Sequence, residues 1–468
     1  MALAALAQTA APVAQVATPQ QAQVRLADPT GDPLAAERMS DPILALARGN
    51  VNEAEFMALV ATAVDRYPGV DEVASEIDEA EAAEDEARAG LYPTVDINLS
   101  SNRTLARTFE GSALDNLIER SRPEGRTDAA ISVEQTLFDF GATSARIAAA
   151  GARLRAASLR AEDSADRTAL RAIAAWYDVF TYRALVTLGT AFAENQLELR
   201  SAVQSRIEAG VSAPGDLPRV ESYIASSQAD LARYRRQLAG AEARFEEIFG
   251  VPAPQDLGRA PVVRAPGISK ELAQVLARST AQAESADAQA RAARQDAKAQ
   301  RADTLPRISA AVDAGKYGIR ESDYDVRGTL LLRHRIFGGV EARADQATAR
   351  ANSADARASR IRAEAEREAV IAWSDVRALE QQLAALEESY VASRQSRDVL
   401  AERFRVARGT LFDLLESESA YFNVAASYIR AITELDAARY VLLSRTGRLL
   451  DTLNIEPPSL DNARLDQR

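Results

Sequence analysis

Residues 326–337 read Val326-Arg-Gly-Thr-Leu-Leu-Leu-Arg-His-Arg-Ile-Phe337, and sorting them by parity separates two unlike faces. Val326, Gly328, Leu330, Leu332, His334 and Ile336 fall on one, which is mostly apolar; Arg327, Thr329, Leu331, Arg333, Arg335 and Phe337 fall on the other. Successive side chains of a strand point to opposite sides, so the stretch predicts a strand between two different surroundings. Val95, Ile97 and Leu99 oppose Asp96, Asn98 and Ser100 in the same way; Ile131 and Val133 oppose Ser132 and Glu134; Ile308, Ala310 and Val312 oppose Ser309 and Asp313. About ten alternating residues suit a strand crossing a bilayer. They suit equally a sheet lying on helices with one face wet. Four strands leave two unpaired edges, which lipid does not tolerate, so within a membrane closure takes several copies of the chain. Two copies would supply eight strands around a filled interior, whereas three would supply twelve around an open one. A pore therefore favours a trimer, with Asp96, Asn98, Ser132, Glu134, Asp313, Arg327 and Arg333 lining the lumen and the loops Thr108–Thr127 and Ile319–Asp325 outside.

Outward from the strands, the chain repeats itself. Trp176-Tyr177-Asp178 recurs as Trp373-Ser374-Asp375, Arg206 as Arg403, Asp216-Leu217 as Asp413-Leu414, Glu221 as Glu418 and Gly250 as Gly447, all at an offset of 197. Upstream, Leu91-Tyr92-Pro93 corresponds to Thr304-Leu305-Pro306, and Leu137 to Gly141 corresponds to Ile336 to Gly339. The expected division is a flexible N-terminus over 1–40, a first repeat over 41–260, a second over 261–455 and a tail over 456–468. In the first repeat, a helix from Glu53 to Ala89, strands near 92–107 and 128–138, a long helix over 141–208 and a helix over 216–249 are expected. In the second, they become a helix over 270–303, strands near 306–318 and 324–337, and helices over 339–408 and 413–453. The two long segments contain no proline and carry apolar residues every three or four positions, for example Ile173, Tyr177, Phe180, Ala184 and Leu188. At ~1.5 Å per residue each gives roughly 100 Å of coiled-coil-like helix.

Composition agrees with thin helical layers. Of 468 residues only 6% are aromatic and 26% are charged, and Ala supplies much of the 47% counted as hydrophobic. A net charge of -12 disfavours a nucleic-acid partner. The absence of cysteine excludes disulfides, thiolate metal sites and an acylated lipoprotein anchor. No apolar window of ~20 residues exists to cross a bilayer as a helix. Met1 to Val24 reads as the end of a secretory signal, its basic start missing, running into a polar, Pro-containing segment.

Chemistry-bearing constellations are missing. His334 is the sole histidine; it sits between Arg333 and Arg335 without a Ser/Asp motif and reads as an aromatic near a membrane interface. None of the three lysines belongs to a phosphate-binding loop. With 68 acidic residues, carboxylate pairs arise at every spacing and none marks a hydrolase. No catalytic, metal or cofactor site is expected. Asp413 and Glu416 share one side of the first turn after Gly409-Thr410, where Thr410-x-x-Asp413 makes an approximate capping box.

Glu134-Gln-Thr-Leu-Phe-Asp-Phe-Gly141 ahead of a long Ala/Arg helix, its partner Ile336-Phe-Gly-Gly339, and Arg408-Gly-Thr-Leu-Phe-Asp-Leu-Leu-Glu-Ser-Glu418 with Tyr421 resemble the TolC outer-membrane factor family over about Asn52 to Leu453. The resemblance implies a mainly α fold with a small β part: in a homotrimer, twelve strands close a barrel in the outer membrane of a Gram-negative bacterium and a long α-helical barrel continues it across the periplasm. It implies a periplasmic adaptor, an inner-membrane ABC transporter or proton-driven pump, and no cofactor. Within the family, Leu91-Tyr-Pro93, the run Leu137 to Gly141 and Gly210-Val-Ser-Ala-Pro-Gly-Asp-Leu217 most resemble the partners of type I secretion systems; multidrug efflux is the alternative. A soluble coiled-coil scaffold is a remoter one, which leaves the strands unexplained, and a periplasmic adaptor would have a single hairpin.

By the same resemblance, Phe138, Gly141, Phe337, Gly338 and Gly339 are barrel-to-helix turns, and Asp413 and Glu416, with Asp216 in the first repeat, face a constriction at the periplasmic tip. Arg219 stands in the first repeat where Glu416 stands in the second. Gly210, Arg403, Arg405, Arg408, Gly409 and Thr410 form the tip turns and a possible latch. Val406 and Leu411 occupy positions where the family often has a latching Tyr and Arg, so the closing bonds are not carried over.

Overall fold

The computed structural model describes residues 41–48, 53–106, 108, 125–262, 267–316 and 324–456. The expected N-terminal segment, C-terminal tail and most of both outer loops lie outside them. In chain order the elements are α1 (Pro42–Leu46), α2 (Glu53–Arg66), α3 (Pro68–Ala89), β1 (Thr94–Arg103), β2 (Gly125–Phe138), α4 (Ala142–Glu208), α5 (Asp216–Phe249), α6 (Lys270–Ala277), α7 (Ala281–Ala302), β3 (Arg307–Lys316), β4 (Tyr324–Arg333), α8 (Val340–Arg405), α9 (Leu411–Arg445) and α10 (Leu449–Leu453). The fold is mainly helical with one small antiparallel sheet.

Boundaries differ from the sequence expectation where local chemistry intervenes. The helix expected over 53–89 is two, because Pro68 takes the first position of α3, where its missing N–H costs nothing, and Tyr67 before it stays extended. The helix expected over 270–303 breaks at Thr280, also extended. The last helix stops at Arg445 and resumes at Leu449 around Gly447, whose φ is 66°. Gly250, its counterpart in the first repeat, is left-handed as well, and its N–H donates to the Glu246 carbonyl at the end of α5. β4 ends at Arg333, so His334 to Ile336 lie beyond the strand and are exposed rather than continuing its apolar face.

The chain forms two compact units. The first joins residues up to Phe56 with Ile173–Val262 and Ala378–Ala437. Its core packs Leu185, Leu188 and Phe192 of α4 against Tyr421, Phe422, Ile429 and Ile432 of α9 and Tyr390 of α8. The second unit joins Met57–Ala172, Val263–Arg377 and the residues from Ala438. Here the buried residues between helices are largely alanines, such as Ala286, Ala290 and Ala358 between α7 and α8, which lets helices approach closely but yields only a thin core.

The sheet, in the second unit, runs β1-β2-β3-β4, antiparallel throughout, with β1 and β4 as open edges. Gly315 of β3 sits so close to Ala130 that a Cβ would come within 2.6 Å of the Ala129 carbonyl oxygen, which only glycine permits. A bulge between Thr136 and Phe138 marks the end of β2.

Candidate pore-lining face and helical tip

Register decides which strand residues share a face, because directly opposed residues of an antiparallel pair point the same way. Asp96 opposes Ser132, Ser132 opposes Asp313, and Asp313 opposes Arg327, so four polar residues form one row across all four strands. Within it the Ser132 hydroxyl donates to Asp313 Oδ1 at 2.6 Å. Asn98, Glu134 and Arg333 occupy the same face at neighbouring levels, so all seven expected lumen residues are together. Arg333 opposes Arg307, which donates to Thr136 Oγ1 at 2.6 Å. The other face carries Val95, Ile97, Leu99, Ile131, Val133, Ile308, Val312, Val326, Leu330 and Leu332. No helix layer covers it at the edges: Ile97 is 79% exposed and Leu330 72%. A sheet resting on helices would bury these side chains, so that alternative fails for β1 and β4.

Beyond the strands, the first repeat turns into α4 through Asp139. Its carboxylate accepts from the Gly141 and Thr143 backbone and from the Thr143 hydroxyl. Burial alone would raise its pKa, but these hydrogen bonds hold it below the usual carboxylate range. Phe138 packs edge-on against Phe140, and Gly141 has a φ of 84°. The second repeat has no acid here; Gly338 and Gly339, both with positive φ, make the turn and Phe337 is 85% exposed.

At the helical tip, in the first unit, Gly210 turns with a φ of 73° and Asp216 opens α5. In the second hairpin Arg403 and Arg405 end α8, Ala407 takes a φ of 59°, and the Arg408 N–H returns to the Arg403 carbonyl. Gly409 is pressed against Arg403 and Phe404, its missing Cβ leaving only 3.1 Å. Thr410 Oγ1 accepts from Asp413 N at 3.2 Å and donates to the Asp413 carboxylate at 2.6 Å, which is the expected cap. Asp413 and Glu416 are both exposed. Asp216, Asp413 and Glu416 take part in no ion pair among the described residues.

Three sets of contacts escaped sequence reasoning. Arg206 donates from Nη1 to the Phe404 carbonyl at 2.9 Å and lies over the Phe404 ring at 4.5 Å, clasping one hairpin to the other. Its match to Arg403 in the repeat marked the position but gave no hint of the partner. Leu411 is buried with Val203, Val220, Phe404 and Leu415 beneath this clasp. Further along, Asp41 caps α1 and also receives the Tyr390 hydroxyl at 2.9 Å and Arg394 Nη1 at 2.8 Å. Arg259 and Asp436, both buried, make a two-pronged ion pair at 2.6 and 2.9 Å. Buried charges must be paired to be tolerated, so these fasten the N-terminal turn and the inter-repeat segment to α8 and α9.

Open-edged strands with one apolar and one polar face, carried by long helical hairpins, define an outer-membrane channel subunit. Residues 59–251 match the model for the outer membrane efflux protein family. The outer membrane efflux protein BepC of Brucella suis is 24% identical over 327 residues, covering 68% of this chain and 72% of that one. Protein CyaE of Bordetella pertussis is 25% identical over 396 residues, 80% of each chain. Among solved structures, the outer membrane protein VceC of Vibrio cholerae superposes with a TM-score of 0.75 at 16% identity, covering 84% of this chain and 96% of that one. The MtrE outer membrane channel of Neisseria gonorrhoeae does so with 0.70 at 17%, covering 84% and 89%. Over residues 59–251 the chain carries the pattern of the outer membrane efflux protein family, and its place is the outer membrane of a Gram-negative cell.

Proposed function

We propose that the chain acts as a homotrimeric exit duct for type I protein secretion, receiving cargo from an inner-membrane ABC transporter through a periplasmic adaptor. The observation that carries the duct is the sheet: its apolar face is exposed, its polar row is continuous from Asp96 to Arg327, and its two edges are free. Lipid can take the first, water the second, and only further copies of the same sheet the third. Three copies give twelve strands and an aqueous lumen. Asp413 and Glu416, exposed at the hairpin turn, would then bring six carboxylates to the threefold axis at the tip, with Asp216 nearby.

Type I secretion rests on the Leu91-Tyr-Pro93 and Gly210 to Leu217 stretches. Drug efflux is the second reading, favoured by the description of the Brucella relative as an efflux protein. Deleting the gene in its own host separates them. Loss of one or a few large proteins from the culture medium, with drug susceptibility unchanged, supports secretion; several-fold sensitisation to small toxic compounds with an intact secreted profile refutes it in favour of efflux. Recovery of the full chain from the soluble fraction without detergent would refute the channel itself.

A further inference from the structure

Four helices of the second unit, α3, α4, α7 and α8, follow the strand order. Ile77 of α3 packs on Leu154 and Ala157 of α4; Ser285 of α7 donates to the Ala156 carbonyl of α4; Ala297 of α7 meets Ala347 and Ala351 of α8. The outer sides of α3 and α8 are therefore the helical edges, just as β1 and β4 are the strand edges. What distinguishes these edges is charge at a fixed spacing.

On α3, Asp71-Glu72, Asp78-Glu79 and Asp85-Glu86 recur every seven residues, and all six are exposed. On α8, Arg343, Arg350 and Arg357 recur every seven residues and are exposed too. Seven residues is nearly two helical turns, so each set forms a stripe along one side. Arg343 donates to the Gly338 carbonyl; neither Arg350 nor Arg357 meets a carboxylate among the described residues.

The chain contains its own template for what such stripes do. The offset of 197 that relates the repeats carries Arg146, Arg153 and Arg160 of α4 onto Arg343, Arg350 and Arg357. In the first repeat the first two members of the stripe face α7, the opening helix of the second repeat: Arg146 pairs with Asp303 at 2.5 Å, and Arg153 pairs with Asp296, whereas Arg160 pairs with Glu76 of α3 at 3.2 Å. The junction from α4 to α7 leads from the first repeat to the second. A junction from α8 to the α3 of another copy would lead from the second repeat back to the first, by the same geometry. The alignment of Pro306 with Pro93 carries Asp296 onto residue 83, between the Asp78-Glu79 and Asp85-Glu86 pairs.

We infer that the α3 and α8 edges form a charge-matched seam between copies, in which Arg350 and Arg357 of one chain pair with the Asp78-Glu79 and Asp85-Glu86 acids of the next. The contact is head-to-tail, so it passes from copy to copy and forms a ring where the rotation between copies closes, as the trimer reading requires. It rests on the trimer reading of the preceding section and adds what selects the neighbouring edge: opposite charge in matched register favours α8 against α3, whereas α3 against α3 would set acid against acid.

The test is a charge swap in the full-length, detergent-extracted protein, read by light-scattering mass and by trimer retention in mild detergent across a salt series. Asp78→Arg with Asp85→Arg, and separately Arg350→Asp with Arg357→Asp, should each reduce the trimer fraction several-fold. A chain carrying all four changes should recover it, which neither a folding defect nor a general loss of charge would produce. Because the chain has no cysteine, Asp85→Cys with Arg350→Cys gives an independent readout: oxidation should produce a covalent ladder ending at three chains. If the unmodified protein is a monomer, the trimer reading itself falls. If it is a trimer, but the one-sided variants assemble as well as the unmodified chain, or the four-fold variant does no better than they do, or the cysteine pair fails to link copies, the seam alone is overturned.

Discussion

Leu330→Arg tests the assignment of the sheet faces most directly. Leu330 lies on the apolar face, opposite Ala310, and is 72% exposed in the single chain. It sits about one and a half residues from the middle of the ten-residue β4, and at ~3.3 Å per residue with a tilt of ~40° that is roughly 4 Å from the bilayer midplane. An Arg facing lipid near that depth costs roughly 2 to 4 kcal/mol. Each trimer contains the change three times, so about 6 to 12 kcal/mol would oppose assembly, enough to remove most of the trimer. Thr329, its neighbour, points to the polar face opposite Ala311. Thr329→Arg places the same side chain in water, beside a face that already holds Arg327 and Arg333, and should cost below ~1 kcal/mol. The assay is the yield of heat-modifiable trimer in the outer-membrane fraction at equal expression. Equal loss in both variants, or greater loss from Thr329→Arg, would refute the face assignment.

Asp413→Asn with Glu416→Gln keeps side-chain shape and much of the Thr410 cap while removing six charges from the proposed constriction. In planar bilayers it should lower cation selectivity and weaken block by trivalent ions, with stability changing by no more than ~1 kcal/mol per helix; unchanged selectivity would reduce both residues to caps. Arg206→Gln removes the clasp on the Phe404 carbonyl and should raise the channel's open probability, while the same change at the exposed Arg200 should leave gating alone. Asp41→Ala strands the buried Arg394 and should destabilise the first unit by about 3 to 5 kcal/mol in thermal unfolding. Glu418→Gln has a pH signature. Burial raises the Glu418 pKa, against the pull of Arg397 and with the push of Asp398, and its Oε2 is enclosed without a hydrogen-bond partner. The folded chain therefore holds this proton more tightly than the unfolded one, and the native residue costs stability as pH rises through the folded pKa. The substitution should raise the unfolding midpoint at neutral pH, and the gain should shrink as pH falls towards the ordinary glutamate range.

Much of this was legible in the sequence because two simple periods carry it. Alternation over Val95 to Ser100 and Val326 to Arg333 specified the faces before any pairing was known, and the antiparallel register needed only to agree in parity for Asp96, Ser132, Asp313 and Arg327 to align. Repetition at 197 residues located both hairpins, both tryptophans and both terminal glycines. Each tryptophan donates its indole N–H to a backbone carbonyl, Trp176 to Gly258 and Trp373 to Ile268. Breaks within helices were harder to read, since the apolar stripe continues past Pro68 and Thr280 while the backbone does not. The clasp and the buried ion pairs were not legible at all. Arg206 meets Phe404 at a separation of 198 residues, and Arg259 meets Asp436 at 177; no local pattern distinguishes these arginines from the many that face water.

The same contrast explains why duplication suits a duct. A chain with one hairpin and two strands would need identical neighbours on both sides, so every junction would carry the same contacts. With two diverged copies, the inner junction from α4 to α7 is covalently tethered and can rely on modest exposed ion pairs such as Arg146–Asp303, each worth about 1 kcal/mol at most. The proposed outer junction has no tether, must form by encounter, and would carry denser charge on its acidic side, with six exposed carboxylates in the α3 stripe where α7 offers Glu284, Asp287, Asp296 and its C-cap Asp303. Long-range attraction raises encounter rates more than it raises final affinity. Assembly rate should therefore fall more steeply with salt than the stability of the finished trimer does; equal salt dependence of the two would show that the extra acids serve only the closed ring.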